Sequence, residues 1–410
     1  MVNTCAFIEA AREESVETIL DLQRSKAEQT GLVVMGCMAQ RYGAELEEAL
    51  DEVDAVVGLD RYGELVGMLD SMTRWTPVRI GPRRPAMDLL DMVSRPAPTL
   101  PYAYVKVAEG CDKTCAFCAI PLIRGPQRSR RPTAIREEIA GLCAAGASEV
   151  ILVAQDLAAY GRDIGAPSDD NIVGLLRFVS DVEALVRVRL LYLYPTEIRP
   201  ALIEEITSNP KLAPYFDLSL QHASRRLLRS MRRPGSTSSH LRLIGRIRAA
   251  EPAAALRSSF IVGYPGETDD DVEELARFLE EADLDWAGFF PYSAEEGTTA
   301  VELAHRIAPA EVAARVRELS RIQDGITARR NAEQVGTTHT VLVDQVEDGV
   351  PVGRSYREAP DIDGMICLDT GSPGDWLEVE ITGSYETDLV AQVCRPAEAG
   401  VRAGAVGRPA

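Results

Sequence analysis

The sequence predicts an α/β protein in three modules. These are an incomplete N-terminal parallel α/β sheet, a central partial barrel of six strand–helix repeats, and a small C-terminal antiparallel β-barrel. Three observations predict it. Short apolar runs alternate with amphipathic helical patterns over residues 1 to about 75 and again from about 99 to 332, the alternation that makes parallel sheets covered by helices. A stretch with six prolines (Pro77, Pro82, Pro85, Pro96, Pro98, Pro101) and little periodicity reads as an extended linker between them. From Gln334 the pattern changes to short β runs divided by turns such as Glu347-Asp348-Gly349 and Asp363-Gly364. The expected modules are 1–76, a linker at 77–98, 99–332 and 334–394, with a flexible tail at 395–410.

In chain order, Met1 to Thr4 reads as the end of a strand. Ile8 to about Lys26 carries apolar residues at helical spacing (Ile8, Ala11, Val16, Ile19, Leu20) with charges between them. Leu32–Met35 and Val53–Val57 are short strands, Ala44–Leu50 is helical, and Tyr62–Met72 closes the module as a helix. The central strands are Ala103–Val107, Glu149–Ala154, Val186–Tyr194, Tyr215–Leu220, Arg257–Val262 and Trp286–Pro291. Helices are expected at Thr133–Ala144, Asn171–Glu183, Arg199–Thr207, Ser238–Ala249, Asp270–Glu281 and from Pro309 to about Asn331. The last module has strands at Thr338–Val343, Val350–Val352, Met365–Leu368, Leu377–Ser384 and Leu389–Val393.

The chain has 410 residues, 46% of them hydrophobic, enough for a large core in more than one domain. No apolar run reaches the length of a membrane span, and the N-terminus lacks the basic and apolar regions of a signal peptide. Eight cysteines in this length, three of them in one loop, point to a reducing compartment such as the cytoplasm rather than to a disulfide framework. A net charge of −19 argues against wrapping a phosphate backbone and for a basic partner.

The loop Glu109-Gly110-Cys111-Asp112-Lys113-Thr114-Cys115-Ala116-Phe117-Cys118 carries the chemistry. Thiolates are soft ligands that suit iron–sulfur clusters or zinc. Three of them leave one iron of a four-iron cube without a protein ligand. A zinc knuckle would need a fourth ligand, and the next cysteine, Cys143, lies in a helical pattern. Chance spacing of buried thiols is the remaining alternative.

This loop, with Phe117 directly before its third cysteine, resembles the signature of the radical S-adenosylmethionine superfamily. The resemblance implies a [4Fe-4S] cluster on Cys111, Cys115 and Cys118 whose open iron chelates S-adenosylmethionine. One electron then cleaves the cofactor to methionine and a 5′-deoxyadenosyl radical. The central module would accordingly be a radical S-adenosylmethionine barrel.

Cys5 and Cys37 each follow a predicted strand, and in parallel sheets ligands gather beyond the carboxyl ends of strands. Burial of two small residues is the alternative. The segments Val2-Asn3-Thr4-Cys5-Ala6-Phe7-Ile8 and Met35-Gly36-Cys37-Met38-Ala39-Gln40 resemble the second and third ligand motifs of the methylthiotransferases. That family holds an auxiliary [4Fe-4S] cluster on three cysteines, so two clusters are expected in a full-length enzyme. The first ligand motif has no counterpart here. The chain therefore reads as a truncated product or one with its start placed downstream, with Cys5 and Cys37 as auxiliary ligands and the third absent. The C-terminal module resembles the TRAM domain that ends these enzymes.

Other residues at strand ends are candidates for contact with cofactor or substrate: Gln155-Asp156, Tyr194-Pro195, Gln221-His222, Gly263-Tyr264-Pro265-Gly266-Glu267 and Tyr292-Ser293. Ordinary turn chemistry is the alternative for each. Phe117, Gln155, Gly263 and Pro265 are assigned to the cofactor. Two arginine groups (Arg124, Arg128, Arg130, Arg131; Arg225, Arg226, Arg229, Arg232, Arg233) read either as solvated surface or as sites of carboxylate capture.

Residues 335 to 394 hold twelve acidic residues against two arginines, Arg354 and Arg357, the wrong sign for holding tRNA. Leu218-Ser219-Leu220-Gln221-His222-Ala223-Ser224, Met231-Arg232-Arg233-Pro234-Gly235 and Asp285-Trp286-Ala287-Gly288-Phe289-Phe290-Pro291-Tyr292-Ser293 resemble one branch of the methylthiotransferases. That branch modifies the β-carbon of an aspartate in a small-subunit ribosomal protein. The implied partners are a basic ribosomal protein and a reductant protein, with no membrane and no nucleic acid as direct substrate. A tRNA adenosine methylthiotransferase is the nearer rival, a non-catalytic metal-binding adaptor the distant one.

Overall fold

The computed structural model describes residues 1–27, 30–50, 53–70, 95–164 and 171–397. Most of the expected linker (77–94), Ser71 and Met72, and the end of the tail lie outside them. The chain divides into two compact units. One comprises Met1–Met92, Glu109–Arg128 and Tyr292–Ala304; the other comprises Val93–Ala108, Ser129–Pro291 and His305–Ala410.

In the first unit, β1 (Val2–Thr4), α1 (Glu9–Ser25), β2 (Val33–Gly36), α2 (Cys37–Ala49), β3 (Ala55–Val57) and α3 (Leu65–Asp70) follow in order. The three strands form a parallel sheet with β2 in the middle. Its apolar face packs Val2, Val34 and Val56 against Ile19 of α1 and Met38 and Leu46 of α2. Ile123 from a short helix, α4 (Ile120–Arg124), joins the same core. α2 begins at Cys37 rather than at Ala44, with a kink at Tyr42, where φ is −126°. Non-helical geometry at that residue splits the helix, so only its second half shows a clean period. The expected helix from Tyr62 is a 3₁₀ turn over Leu59–Glu64 followed by α3.

In the second unit the six expected strands are present: β4 (Tyr102–Lys106), β7 (Glu149–Val153), β8 (Arg187–Leu190), β9 (Tyr215–Gln221), β10 (Ala255–Val262) and β11 (Trp286–Pro291). Two-residue strands β5 (Ala108–Glu109) and β6 (Arg128–Ser129) flank the cysteine loop in sequence. Sheets β4-β7-β8 and β9-β10-β11 are both parallel, and the parallel bridges Val188↔Leu212 and Leu193↔Leu218 join them. The connecting helices are α5 (Pro132–Ala144), α6 (Ile172–Ser180), α7 (Pro200–Ser208), α8 (Arg225–Ser230), α9 (Thr237–Ala250) and α10 (Asp269–Ala282); α11 (Pro309–Ala332) follows β11. Strand alternation sends Val105, Val150, Leu152, Val188 and Leu218 into the main core with the helices. Tyr102, Ile151, Tyr215 and Trp286 fall into a separate cluster with Tyr356 and Ala359.

The last five strands close a barrel in the order β12-β13-β14-β16-β15: β12 (Thr338–Glu347), β13 (Val350–Arg354), β14 (Ile366–Leu368), β15 (Trp376–Tyr385) and β16 (Asp388–Pro396). All its pairs are antiparallel except β14 with β16. The segment between β13 and β14 carries the contacts that hold this barrel to the six strands. Arg187 donates to the carbonyl of Arg354, and Arg189 to those of Ser355 and Tyr356. Trp286 Nε1 donates to the Arg357 carbonyl and Tyr356 to that of Ala253. Arg354 and Arg357 are therefore not surface charges. Both are buried, Arg354 paired with Asp344 and Glu149, Arg357 with Asp285.

Asp363 ends this segment, accepting from Tyr215 at 2.6 Å, Arg257 at 3.2 Å and the Ala359 amide at 2.9 Å. Burial nevertheless pushes its carboxyl up to about 6. A folded value above the unfolded 3.8 means that the folded state holds the proton more tightly. Stability from this group is present at low pH and lost as pH rises through 6. Between about pH 5 and pH 7.5 the loss is about 1.4 kcal/mol. Urea unfolding at those two pH values should show that fall in the native chain and not in Asp363→Asn.

Candidate active site

The cysteine loop is set by its first turn. Gly110 has φ +82°, and a Cβ there would lie 2.3 Å from the Pro126 carbonyl oxygen, so no other residue fits. The loop then closes on the segment after it: Cys111 N–H donates to the Gly125 carbonyl at 3.1 Å, and Gln127 N–H to Asp112 Oδ1 at 3.0 Å. Inside the turn, Lys113 N–H points at Cys111 Sγ (3.5 Å) and Cys118 N–H donates to the Cys115 carbonyl (3.2 Å). Ala300 N–H donates to the Ala116 carbonyl, which ties the loop to residues 292–304. Cys111, Cys115, Cys118 and Phe117 are all partly exposed. Among the described residues, no three His, Cys, Asp or Glu side chains converge closely enough to hold a single metal ion. Three partly exposed thiols on one constrained loop are instead the soft donor set that fits an iron–sulfur cluster. Cys143 is buried on α5 in the second unit, its thiol pushed up to about 11 by that burial.

Cys5 and Cys37 lie in the first unit as well. Thr4 pairs with Gly36 in the β1–β2 register, so both cysteines leave the sheet at the same level. Gly36 has φ +105°, and a Cβ would lie 2.5 Å from Asn3 Oδ1 and from the Thr4 carbonyl, which compels the glycine before Cys37. Cys5 is exposed and Cys37 buried. Arg124, at the end of α4, donates to Cys37 Sγ at 2.9 Å and forms an ion pair with Glu109. Burial pushes the Cys37 thiol up, the Arg124 guanidinium pulls it down, and the neighbouring charge of Cys5 raises it again. Nearby, burial first and the charge of Cys37 second raise the Tyr62 hydroxyl to about 12.

Gln155, Gly263 and Pro265 belong to the second unit, so only their local settings are described. Gln155 follows β7, partly buried. Gly263 N–H donates to both Glu267 carboxylate oxygens at 3.0 Å, and Arg315 donates to Glu267 Oε1 at 2.9 Å. His222 Nε2 is 3.6 Å from Glu267 Oε2. Glu267 thus locks the turn that carries Gly263 and the buried Pro265.

Four of the nine arginines in the two groups hold partners inside the fold. Arg124 holds Glu109, Arg130 holds Glu138 at 2.6 Å, and Arg226 holds Asp271, so the carboxylates they capture are the protein's own. Arg233 is buried over the Tyr194 ring, whereas Arg131, Arg225, Arg229 and Arg232 face solvent. The sequence places Arg124 only within a group and Glu267 among the strand-end candidates for ligand contact rather than as the lock of its turn, and it gives Glu109 no role of its own. The Gly263-x-x-x-Glu267 spacing was a usable signal; the partnership of Arg124 with Cys37, 87 residues apart, had none.

Known proteins resemble this chain in sequence and in fold. Residues 105–279 match the radical SAM superfamily, 335–394 the TRAM domain and 1–58 the uncharacterized protein family UPF0004. The radical S-adenosylmethionine methyltransferase TsrM from Kitasatospora setae has a similar fold. Its TM-score is 0.51 at 17% identity, covering 68% of this chain and 58% of that one. Fold and cysteine loop define a radical S-adenosylmethionine enzyme, a class that works with a [4Fe-4S] cluster and S-adenosylmethionine. The curated relatives are more specific. The ribosomal protein uS12 methylthiotransferase RimO of Salinispora tropica is 39% identical over 95% of this chain and 87% of its own length. Its counterpart in Cutibacterium acnes is 41% identical over 97% of this chain and 90% of its own length. The chain belongs to the RimO family of methylthiotransferases. Among the described residues, no helix is long and apolar enough to cross a membrane.

Proposed function

We propose that this chain adds a methylthio group to the β-carbon of an aspartate in ribosomal protein uS12. The observation that carries the reading is that one compact unit contains both cysteine sets, Cys111, Cys115 and Cys118 on the loop and Cys5 and Cys37 at the sheet end. Insertion of sulfur at an unactivated C–H bond requires a radical source and a sulfur source, a demand beyond acid–base groups. Cys111, Cys115 and Cys118 would hold a four-iron cluster, which when bound would supply the electron for reductive cleavage of S-adenosylmethionine.

In this reading the three loop thiolates hold that cluster. Cys5 and Cys37 would provide two ligands of a second cluster, which would supply the sulfur for transfer. Phe117, Gln155, Gly263 and Pro265 contact S-adenosylmethionine, and Glu267 keeps the Gly263 turn in shape for it. A reductant protein supplies electrons. The linear modules at 1–76, 99–332 and 334–394 are the working division, with reaction in the reducing cytoplasm.

The C-terminal barrel supports a basic protein substrate. Glu347, Asp348, Asp369, Asp375, Glu380 and Glu386 are exposed, while the two arginines of the module are buried against acids of the fold. Such a surface attracts a cationic protein and repels a phosphate backbone. Reversing Glu347 and Glu380 to lysine should raise KM for uS12 about three- to tenfold at low salt, with kcat unchanged and the difference shrinking at high salt.

The activity is tested by incubating the anaerobically reconstituted chain with S-adenosylmethionine, reductant and uS12 or bulk tRNA, followed by mass analysis of both. A methylthio group on one uS12 aspartate is expected. Methylthiolated adenosine in tRNA with unmodified uS12 would overturn the reading.

A further inference from the structure

We propose that Arg124 is the positioning residue that fixes the second sulfur site to the cysteine loop. One guanidinium holds two partners: Nη2 donates to Cys37 Sγ at 2.9 Å, and Nη1 pairs with Glu109, two residues before Cys111. All three residues belong to the first compact unit. Arg124 closes α4, the helix that begins just after Cys118, and Ile123 beside it is 5% exposed in the same apolar core as Cys37 and Met38. The side chain therefore leaves a packed helix at a fixed point, and its planar fork holds two acceptors in a fixed relative geometry, whereas a lysine would offer one compact charge on a flexible stem.

Cys37 itself opens α2 after a glycine that admits no side chain, so its backbone is fixed where the helix leaves the sheet. Together these contacts set the sulfur of one cysteine set against the backbone that leads into the other. The inference rests on Cys37 being a cluster ligand. A cationic donor on a ligand sulfur stabilises the more negative, reduced state of a cluster and so raises its reduction potential. A residue that only supported the fold would leave that potential where it was.

The test uses the full chain, reconstituted anaerobically with iron and sulfide. Replacing Cys111, Cys115 and Cys118 together with alanine leaves any remaining iron–sulfur signal to the Cys5 and Cys37 site. In that background Arg124→Gln should shift the midpoint of the signal to more negative potential, read by EPR during a redox titration. Arg124→Lys, with the charge but not the fork, should return part of the shift. An unchanged midpoint in Arg124→Gln with the cluster present overturns the proposal. Where the background holds no cluster even with Arg124 intact, a double-mutant cycle decides. Arg124→Gln and Cys37→Ser are combined in urea unfolding of the metal-free chain. Additive effects overturn the hold of Arg124 on Cys37; non-additive effects retain it and place the failure on the cluster reading.

Discussion

Cys115→Ser is expected to abolish cleavage of S-adenosylmethionine, lowering 5′-deoxyadenosine formation more than about 1,000-fold, because the cofactors and not the side chains carry the difficult step. Serine offers a hard, protonated oxygen where the loop offers soft sulfur, so the third attachment is lost and iron content falls with it. The fold should be indifferent. Cys115 is partly exposed, and its backbone carbonyl, which accepts from Cys118 N–H, is unaltered by the substitution. Activity lost at constant melting temperature separates a ligand from a packing residue. Substantial 5′-deoxyadenosine from Cys115→Ser would remove that thiol from the ligand set.

The largest expected effect on stability is at Glu149. Its carboxylate receives Arg189 Nε and Arg187 Nη2, each at 3.1 Å, and lies 3.0 Å from Arg354 Nη2, all four groups buried. Three cations around one anion would not hold by themselves. Asp344 shares Arg354 at 2.6 Å, backbone carbonyls of residues 354–356 take further donors, and the guanidiniums stack 4.7 Å from the rings of Trp376, Tyr215 and Tyr102. Arginine tolerates such a setting because it is weakly hydrated and planar. The surrounding cations hold the Glu149 carboxyl far below the usual range despite complete burial, so it stays ionised. Glu149→Ala leaves the buried Arg187 and Arg189 without a carboxylate and Arg354 with Asp344 alone, and should cost about 3–5 kcal/mol, loosening the C-terminal barrel from the six strands. A urea midpoint within experimental error of the native one would contradict this account of the junction.

The six central strands and the last five were legible because each is a short apolar or β-prone run set off by helical patterns or turns. Trp286–Pro291 is observed with the expected bounds, and Tyr215 and Leu218 alternate onto opposite faces of a strand that is covered on both sides. The cysteine loop was legible from spacing and soft-ligand chemistry. What escaped was every feature made by distant partners. Arg354 and Arg357 counted as barrel surface charge, yet their partners Glu149 and Asp285 lie on or beside strands far earlier in the chain. The start of α2 at Cys37 was hidden by the break at Tyr42, because a hydrophobic period cannot be read across non-helical geometry. The first unit gathers residues 109–128 and 292–304 with the N-terminal sheet through contacts such as Arg41 and Arg12 on the buried Glu295, which no local pattern encodes.

The claim on which the rest depends is that the Cys111, Cys115 and Cys118 loop builds a cluster with one iron free for a small molecule. Mössbauer spectra of the iron-loaded chain, recorded with and without S-adenosylmethionine, test it most directly. The account predicts that one iron of a four-iron cluster changes its parameters when S-adenosylmethionine is added and that the change is absent in Cys115→Ser. Spectra that do not respond to S-adenosylmethionine, or a loop that binds zinc without sulfide, would contradict it.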